Sequence, residues 1–299
     1  MPELPDVELY VLRARERLAG QVLRRVKLSS PFVLRTALPP LASAEGRRVG
    51  GVQRLGKRIV LELPGAAQPG APDLWLVMHL MIAGRLRWLA PAARPPGRIT
   101  LALLEFDAGT LALTEAGSKR RASLHLVDSP AALAALDAGG IDARALDSAA
   151  FTQRLQRENH TLKRALTDPR LFSGIGNAYS DEILHRARLS PLALTKTLAD
   201  ADAQRLHQAV LAVLGEWTAR LAAESPGWPG KVTAFHPQMA VHGRHGQPCP
   251  VCASPVQRIV YADNECNYCA RCQTGGRLLA DRALSRLLKA SWPKTLDDA

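Results

Sequence analysis

The sequence predicts a multidomain α+β protein. An N-terminal helix leads into a β-rich unit, a helical unit follows, and a small cysteine-built module comes near the end. Three observations predict it. Apolar residues recur at helical spacing over 6–18, and the pattern is helical again across 151–224. Between them, short β-like runs broken by glycine and proline fill 21–127. All five cysteines fall between 249 and 272.

The elements follow in order. Over 6–18, Val7, Tyr10, Val11, Ala14 and Leu18 share one helical face, and Asp6 and Glu8 sit near the N-terminal end, where the helix dipole favours acids. The runs VLRRVKL, RIVLEL, LWLVMHL, GRLRWL, ITLALLEF and TLALTEA read as strands of a β-sandwich or a barrel. LPGAAQPGAP, APAARPPG and DAGT separate them. Residues 130–150 read as a helix and linker. The helical stretch 151–224 is interrupted by Pro169 and by the turn Ser173-Gly174-Ile175-Gly176-Asn177, with the next helix starting near Tyr179. Residues 225–246 are rich in glycine and proline and read as loop. In the basic tail, Leu279, Ala283, Leu284, Leu287 and Leu288 share an apolar face, which packs on the body of the protein or docks a protein partner.

Composition narrows the function. The chain has 299 residues, 47% of them hydrophobic, which suits about two domains at ~150 residues each. Charged residues make up 22%, which excludes a highly charged disordered tail protein. No run approaches the ~18 apolar residues of a membrane span. The start MPELPDVELY lacks the basic and apolar blocks of a signal peptide. A net charge of +12 favours a polyanionic partner, nucleic acid above all.

Cys249-Pro-Val-Cys252 and Cys269-Ala-Arg-Cys272 form two CxxC knuckles 16 residues apart, the spacing of a tetrahedral thiolate site for one structural Zn²⁺. The intervening QRIVYADNECNY suits a hairpin. Four thiolates leave no open coordination position, so the metal folds the module. Cys266 lies outside both knuckles and reads as a spare small residue. Clustered thiols of this kind belong to a reducing compartment.

Five blocks together resemble the formamidopyrimidine-DNA glycosylase / endonuclease VIII family. They are Met1-Pro2-Glu3-Leu4-Pro5-Asp6-Val7-Glu8, Leu55-Gly56-Lys57-Arg58, His79-Leu80 with Gly84, Gly174-Ile175-Gly176-Asn177-Ala178-Tyr179 with Glu182, and the cysteine module followed by Gln273. The resemblance implies an N-terminal β-sandwich carrying the first helix, a helix–two-turns–helix domain with a C-terminal zinc finger, and duplex DNA in the cleft between. It divides the chain into 1–129, a linker 130–150, 151–246, the zinc finger 247–273 and an extension 274–299. It further implies a monomeric, cytoplasmic, nucleoid-associated enzyme acting on double-stranded DNA with a damaged base or abasic site.

The resemblance also assigns chemistry. Pro2 becomes the N-terminus once Met1 is removed, and an α-amino group of pKa ~7.7–8.0 is partly neutral near pH 7. Pro2 then attacks C1′ and expels the base through a Schiff base, and elimination cuts the strand. Glu3 protonates the sugar oxygen and shuttles protons. Lys57 contacts the phosphate beside the lesion. Gly174, Gly176, Asn177 and Lys163 hold a backbone phosphate. Glu182 is either structural or aimed at the site, and His79 reads as a core or edge histidine.

Four departures stand out, the first bearing on the chemistry and the other three on substrate. Asp6 stands where the family usually has Glu, one methylene longer, which puts a contact toward Pro2 in doubt. Ile82, beside Met81, replaces the Met that fills the void left by a flipped base. The segment Ala116-Gly117-Ser118-Lys119-Arg120-Arg121-Ala122 keeps positive charge but lacks the family's phenylalanine, a stacking partner worth ~1–3 kcal/mol. Asn264 replaces an arginine that enters the DNA, and Arg258 on the other arm is a candidate substitute. The loop 225–242 is expected to supply pocket residues. A different class also fits these departures, a catalytically weak DNA-damage-binding protein on the same scaffold; a zinc-ribbon RNA-binding protein is the remote third.

Overall fold

The first helix, α1 (Leu4–Leu18), starts on a reciprocal cap in which Glu3 and Asp6 each accept from the other's end of the turn, with Pro5 near its start. The cap begins the helix before Asp6, where the apolar pattern alone places it. The structure is a computed structural model that describes residues 1–65, 72–117, 119–261, 264–279 and 294–296, with backbone only for Tyr261 and Asn264. Most of the tail face, Ala283, Leu284, Leu287 and Leu288, lies outside the described residues, as does Ser118 of the basic segment. By contacts the chain forms two units: Met1–Ala138 with Trp217–Thr233, and Gly139–Glu216 with Ala234–Ala299.

The first unit holds β1 (Arg25–Leu28), β2 (Gly51–Leu55), β3 (Arg58–Leu63), β4 (Leu74–His79), β5 (Gly84–Leu89), β6 (Thr100–Phe106), β7 (Gly109–Glu115) and β8 (Ser123–Val127). They form two antiparallel sheets, β1-β6-β7-β5 and β2-β3-β4-β8. Alternation puts every second side chain inward. Ile59, Leu61 and Leu63 face Met78, Leu76 and Leu74 across the ladder, and Leu124 and Leu126 flank Met78 and Leu76. These residues share one core with Leu101, Leu104, Leu111 and Leu113 of the other sheet and with the apolar face of α1. Each such leucine contributes ~1.5–3 kcal/mol of burial. Two sheets around one core make a β-sandwich. A register shift between Thr100 and Ala102 lets Leu101 and Ala102 both enter the core.

One end of the sandwich collects its turns. Arg58 pairs with His79, His79 with Ser123, and Gly84 with Glu115. The Gly56-Lys57 hairpin tip, the turn 80–83 and the segment 116–122 therefore sit together. The stretch after the long helix α6 (Asp200–Glu224) is pinned to the same unit. Arg13 donates to Ala222 O and Ser225 O, and Trp228 Nε1 donates to Leu86 O at 3.0 Å. The Trp228 ring lies 6.0 Å from Tyr10 and 6.1 Å from Trp88.

The short helix α2 (Pro130–Ala134) closes the first unit. The second contains α3 (Ser148–Leu155), α4 (Leu162–Thr167), α5 (Asn177–Ala187) and the first part of α6 (Asp200–Glu224), then β9 (Gln257–Tyr261), β10 (Asn264–Tyr268) and α7 (Ala270–Thr274). Side-chain caps punctuate the helical stretch: Asp147 accepts from Ala150 N and Thr161 from Arg164 N. Among the described residues no helix is long and apolar enough to cross a membrane.

Candidate functional site

The amino terminus lies at the turn-bearing end of the sandwich. Pro2 and Glu3 are buried, and Asp6 Oδ2 accepts from Glu3 N–H at 2.8 Å. The shorter Asp6 side chain thus closes on Glu3 rather than hanging free. Burial holds the α-amino group of Met1, one residue before Pro2, below its ordinary pKa; Arg85 and Lys57 push the same way, while Glu3 and Asp6 oppose them. Burial likewise raises the Asp6 carboxyl to about 6, against the hydrogen bond from Glu3 N–H, which lowers it, and with the Glu3 charge adding to the rise. The Met1 amine, two buried carboxyls and two cations therefore share one locality. Lys57 is the second residue of the two-residue turn between Leu55 and Arg58, the tip of the hairpin. His79, half-buried, is lowered to about 4 by burial and by Arg58, Lys57 and His125, so it is a neutral imidazole near pH 7.

The turn after His79 presents Ile82, 58% exposed, at its apex. Gly84 closes the turn: its N–H donates to Leu80 O at 2.9 Å, and a Cβ there would meet that oxygen at 2.2 Å. Met81 sits in the left-handed region at φ 52°. The basic segment lies alongside, since a Cβ on Gly117 would come within 3.4 Å of the Ala83 methyl. Lys119, Arg120 and Arg121 are exposed. Glu115, buried at the end of β7, accepts from Arg121 N and Ala122 N at 2.9 Å, and Arg120 Nη2 donates to Arg98 O. The structure thus brings Pro2, Glu3, Lys57, Ile82 and the basic segment to one end of one unit.

In the second unit, Gly174 at φ 88° turns the chain into α5, whose first residue is Asn177. Asn177 Nδ2 donates to Glu265 O at 2.7 Å, which fastens the helix start to β10. Lys163 Nζ donates to Asn177 O and to Asp181 Oδ1, both at 2.6 Å. Asp181 Oδ2 accepts from Asn267 N at 3.1 Å and lies 2.8 Å from His242 Nδ1. Glu182 turns out to be a backbone clamp: its two oxygens accept from the N–H groups of Ala240, Val241 and His242. Burial raises its pKa against these bonds. On the hairpin, Arg258 Nη1 is 3.5 Å from Glu265 Oε2, and Asn264 pairs with Tyr261 through the backbone.

The four knuckle cysteines converge, with all four Sγ atoms within 4.8 Å of one another. Cys249 and Cys272 are 3.9 Å apart and Cys252 and Cys269 are 3.4 Å apart. A tetrahedron with ~2.3 Å metal–sulfur bonds has edges of about 3.8 Å, so the set fits a thiolate-bound ion. His185 Nε2 lies 3.3 Å from Cys249 Sγ, and Gln273 ties the module to Leu189 O and Cys269 N. Cys266 is buried against Ile259 in the hairpin, and its thiol is pushed up by burial and by Asp181.

The sandwich, the turn-helix motif and the four-thiolate module define a class of two-unit DNA-repair scaffold, and comparison with known proteins gives the family. The formamidopyrimidine-DNA glycosylase N-terminal domain matches residues 1–123, and the formamidopyrimidine-DNA glycosylase H2TH domain matches 140–222. The formamidopyrimidine-DNA glycosylase of Thermus thermophilus is 35% identical over 287 residues, covering 92% of this chain and 100% of that one. An uncharacterized formamidopyrimidine-DNA glycosylase-like protein of Mycobacterium tuberculosis is 43% identical over 129 residues, covering 43% of this chain and 80% of that one. The crystal structure of the Thermus MutM (Fpg) protein matches with a TM-score of 0.75 at 34% identity, covering 91% and 98% of the two chains. Lactococcus lactis Fpg, solved with abasic-site DNA, shares the fold at a TM-score of 0.79 and 23% identity, covering 91% and 99%. The chain belongs to the formamidopyrimidine-DNA glycosylase family.

Sequence reasoning misses Arg85, Asp181 and His242. The signals were faint: an arginine directly after the essential Gly84, and an acid beside Glu182 within a helix.

Proposed function

We propose that this protein is a base-excision repair enzyme, a DNA glycosylase with AP-lyase activity on oxidised or otherwise damaged bases in duplex DNA. The observation that carries the reading is the burial of Pro2 and of the Glu3 and Asp6 carboxyls at the sandwich end that also holds Lys57 and Arg85. Once freed by loss of Met1, an α-amino group of ordinary pKa ~7.7–8.0 is partly neutral near pH 7, as a nucleophile requires. With Met1 removed, the Pro2 nitrogen bonds to C1′ as the bond from C1′ to the base breaks. Glu3 protonates O4′, the ring opens, and the resulting iminium acidifies the C2′ hydrogens. Loss of a C2′ proton then expels the 3′ phosphate. Lys57 holds the phosphate beside the lesion. Ile82 enters the stack where the base has left it, and Lys119, Arg120 and Arg121 grip the strand.

Lys163, Asn177, Gly174 and Gly176 form the phosphate platform of the second unit, and Arg258 and Asn264 contribute from the hairpin. Lys163 spends two ammonium N–H groups on Asn177 O and Asp181, so it contacts phosphate with what remains of its charge and its third N–H. The cysteines bind one structural Zn²⁺, and the enzyme works as a monomer. Incubation with duplexes carrying one oxidised or ring-opened base tests the reading: free base and a cut strand are the expected products. Tight binding to the same duplexes with neither product would instead make it a damage-binding protein, the alternative that the lost phenylalanine favours.

A further inference from the structure

We propose that Arg85 is the positioning residue of the catalytic end, its guanidinium joining the Ile82 turn and the Val232 segment into one support for the amino terminus. The inference deepens the glycosylase reading and rests on it. A guanidinium is a planar fork with five donors, suited to holding several carbonyls in fixed relation. Here Nε donates to Val232 O at 2.7 Å, and Nη1 donates to Gly84 O at 2.7 Å and to Ile82 O at 3.2 Å. The first bond holds a segment that Trp228 and Arg13 already fasten to the sandwich. The other two hold the turn that presents Ile82.

That turn needs outside support. Met81 is a non-glycine residue at φ 52°, a conformation that persists only where its surroundings impose it. The Gly84 N–H bond to Leu80 O closes the turn from within, and Arg85 closes it from the strand side. Arg85 is itself fixed: it pairs with Thr114 on β7, whose Oγ1 donates to Arg85 O at 3.1 Å. Its charge also bears on the amine. The groups acting on the Met1 amine, one residue before Pro2, are Glu3 and Asp6, which favour the ammonium, and Arg85 and Lys57, which disfavour it. One side chain thereby serves two ends, the fork for geometry and the charge for protonation.

The two roles separate by substitution. Arg85→Lys keeps the charge and loses the planar fork; Arg85→Gln loses both. The full-length protein, with Met1 confirmed absent by mass spectrometry, is assayed against two duplexes. One holds a single damaged base and the other a preformed abasic site, and rates are followed from about pH 5 to about pH 9. For Arg85→Gln the acid limb of the lyase rate moves up by ~0.5 pH unit, a roughly threefold loss at about pH 6. For both variants excision of the intact damaged base falls at least ~threefold further than lyase action, because only excision needs the Ile82 turn to hold a base out. Arg85→Lys keeps the wild-type limb.

Parallel losses on both substrates with an unmoved limb would overturn the inference and reduce Arg85 to a stability residue. So would wild-type behaviour of both variants. If Arg85→Gln does not fold, the excision-to-lyase ratio of Arg85→Lys decides alone. A wild-type protein active on neither duplex would overturn the glycosylase reading first, and this inference with it.

Discussion

Asp181→Asn is the most informative perturbation of the second unit. Asp181 has no exposed side-chain surface, and its partners Lys163 and His242 are 13% and 4% exposed. It accepts from Lys163 Nζ at 2.6 Å and from the Asn267 backbone at 3.1 Å, and it holds His242 Nδ1 at 2.8 Å. An asparagine fits the space but leaves the Lys163 ammonium buried without a counter-charge. Removing one partner of a buried pair costs ~3–5 kcal/mol, chiefly through the charge left behind. For a unit of this size that lowers its melting temperature on the order of 10 °C. Because the two units need not melt together, metal release read by a chromophoric chelator reports the second unit while circular dichroism follows the whole chain. Lys163→Met combined with Asp181→Asn removes the orphaned charge and should recover more than ~1 kcal/mol of the loss. A loss below about 1 kcal/mol, or a double variant no better than the single one, would refute the reasoning.

Other outcomes follow from the same structure. The purified protein carries one zinc per chain by metal analysis, and chelation or Cys249→Ala melts the hairpin and abolishes DNA binding; full stability in a metal-free protein would contradict this. The buried Asp6 has a folded-state pKa of about 6 against 3.8 in a free chain, so the unfolded state gives up its proton first as pH rises. Stability from this group therefore falls between about pH 4 and about pH 6, and Asp6→Asn gains on the order of 3 kcal/mol relative to wild type across that window; parallel pH–stability curves would show otherwise. Cys266 stays unalkylated in the native protein and reacts only on unfolding, which mass spectrometry of iodoacetamide-treated samples reads directly.

The fold was legible wherever a local pattern carries the geometry. RIVLEL and GRLRWL coincide with β3 and β5, and the apolar face of 6–18 is the face α1 buries. The two CxxC knuckles placed all four convergent thiols, because ligand spacing is itself the constraint. What was missed depends on pairing across the chain. The strands β2 and β8, GVQRL and SLHLV, lack a strong run of their own and are held by β3 and β4. The helical stretch 151–224 breaks at side-chain caps that its apolar pattern does not show. The end of α6 and the loop to Thr233 belong by contacts to the first unit, fastened by Arg13, Trp228 and Arg85. Lys163 and Asn177 stood out as phosphate donors, but their ties to Asp181 and to Glu265 O could not be read from a spacing of 18 or 88 residues. Glu182, ambiguous in sequence, is a clamp because the chain returns over it at 240–242.

The central claim is that the amine of residue 2 does the chemistry. Borohydride reduction during reaction with an abasic-site duplex would convert a Schiff base into a permanent cross-link. Peptide mapping would then find the sugar remnant on the Pro2 nitrogen, in protein shown to lack Met1, and blocking the amine by N-terminal acetylation would abolish the band. A cross-link mapped to a lysine such as Lys57, or no cross-link from protein that binds the duplex tightly, would contradict the account.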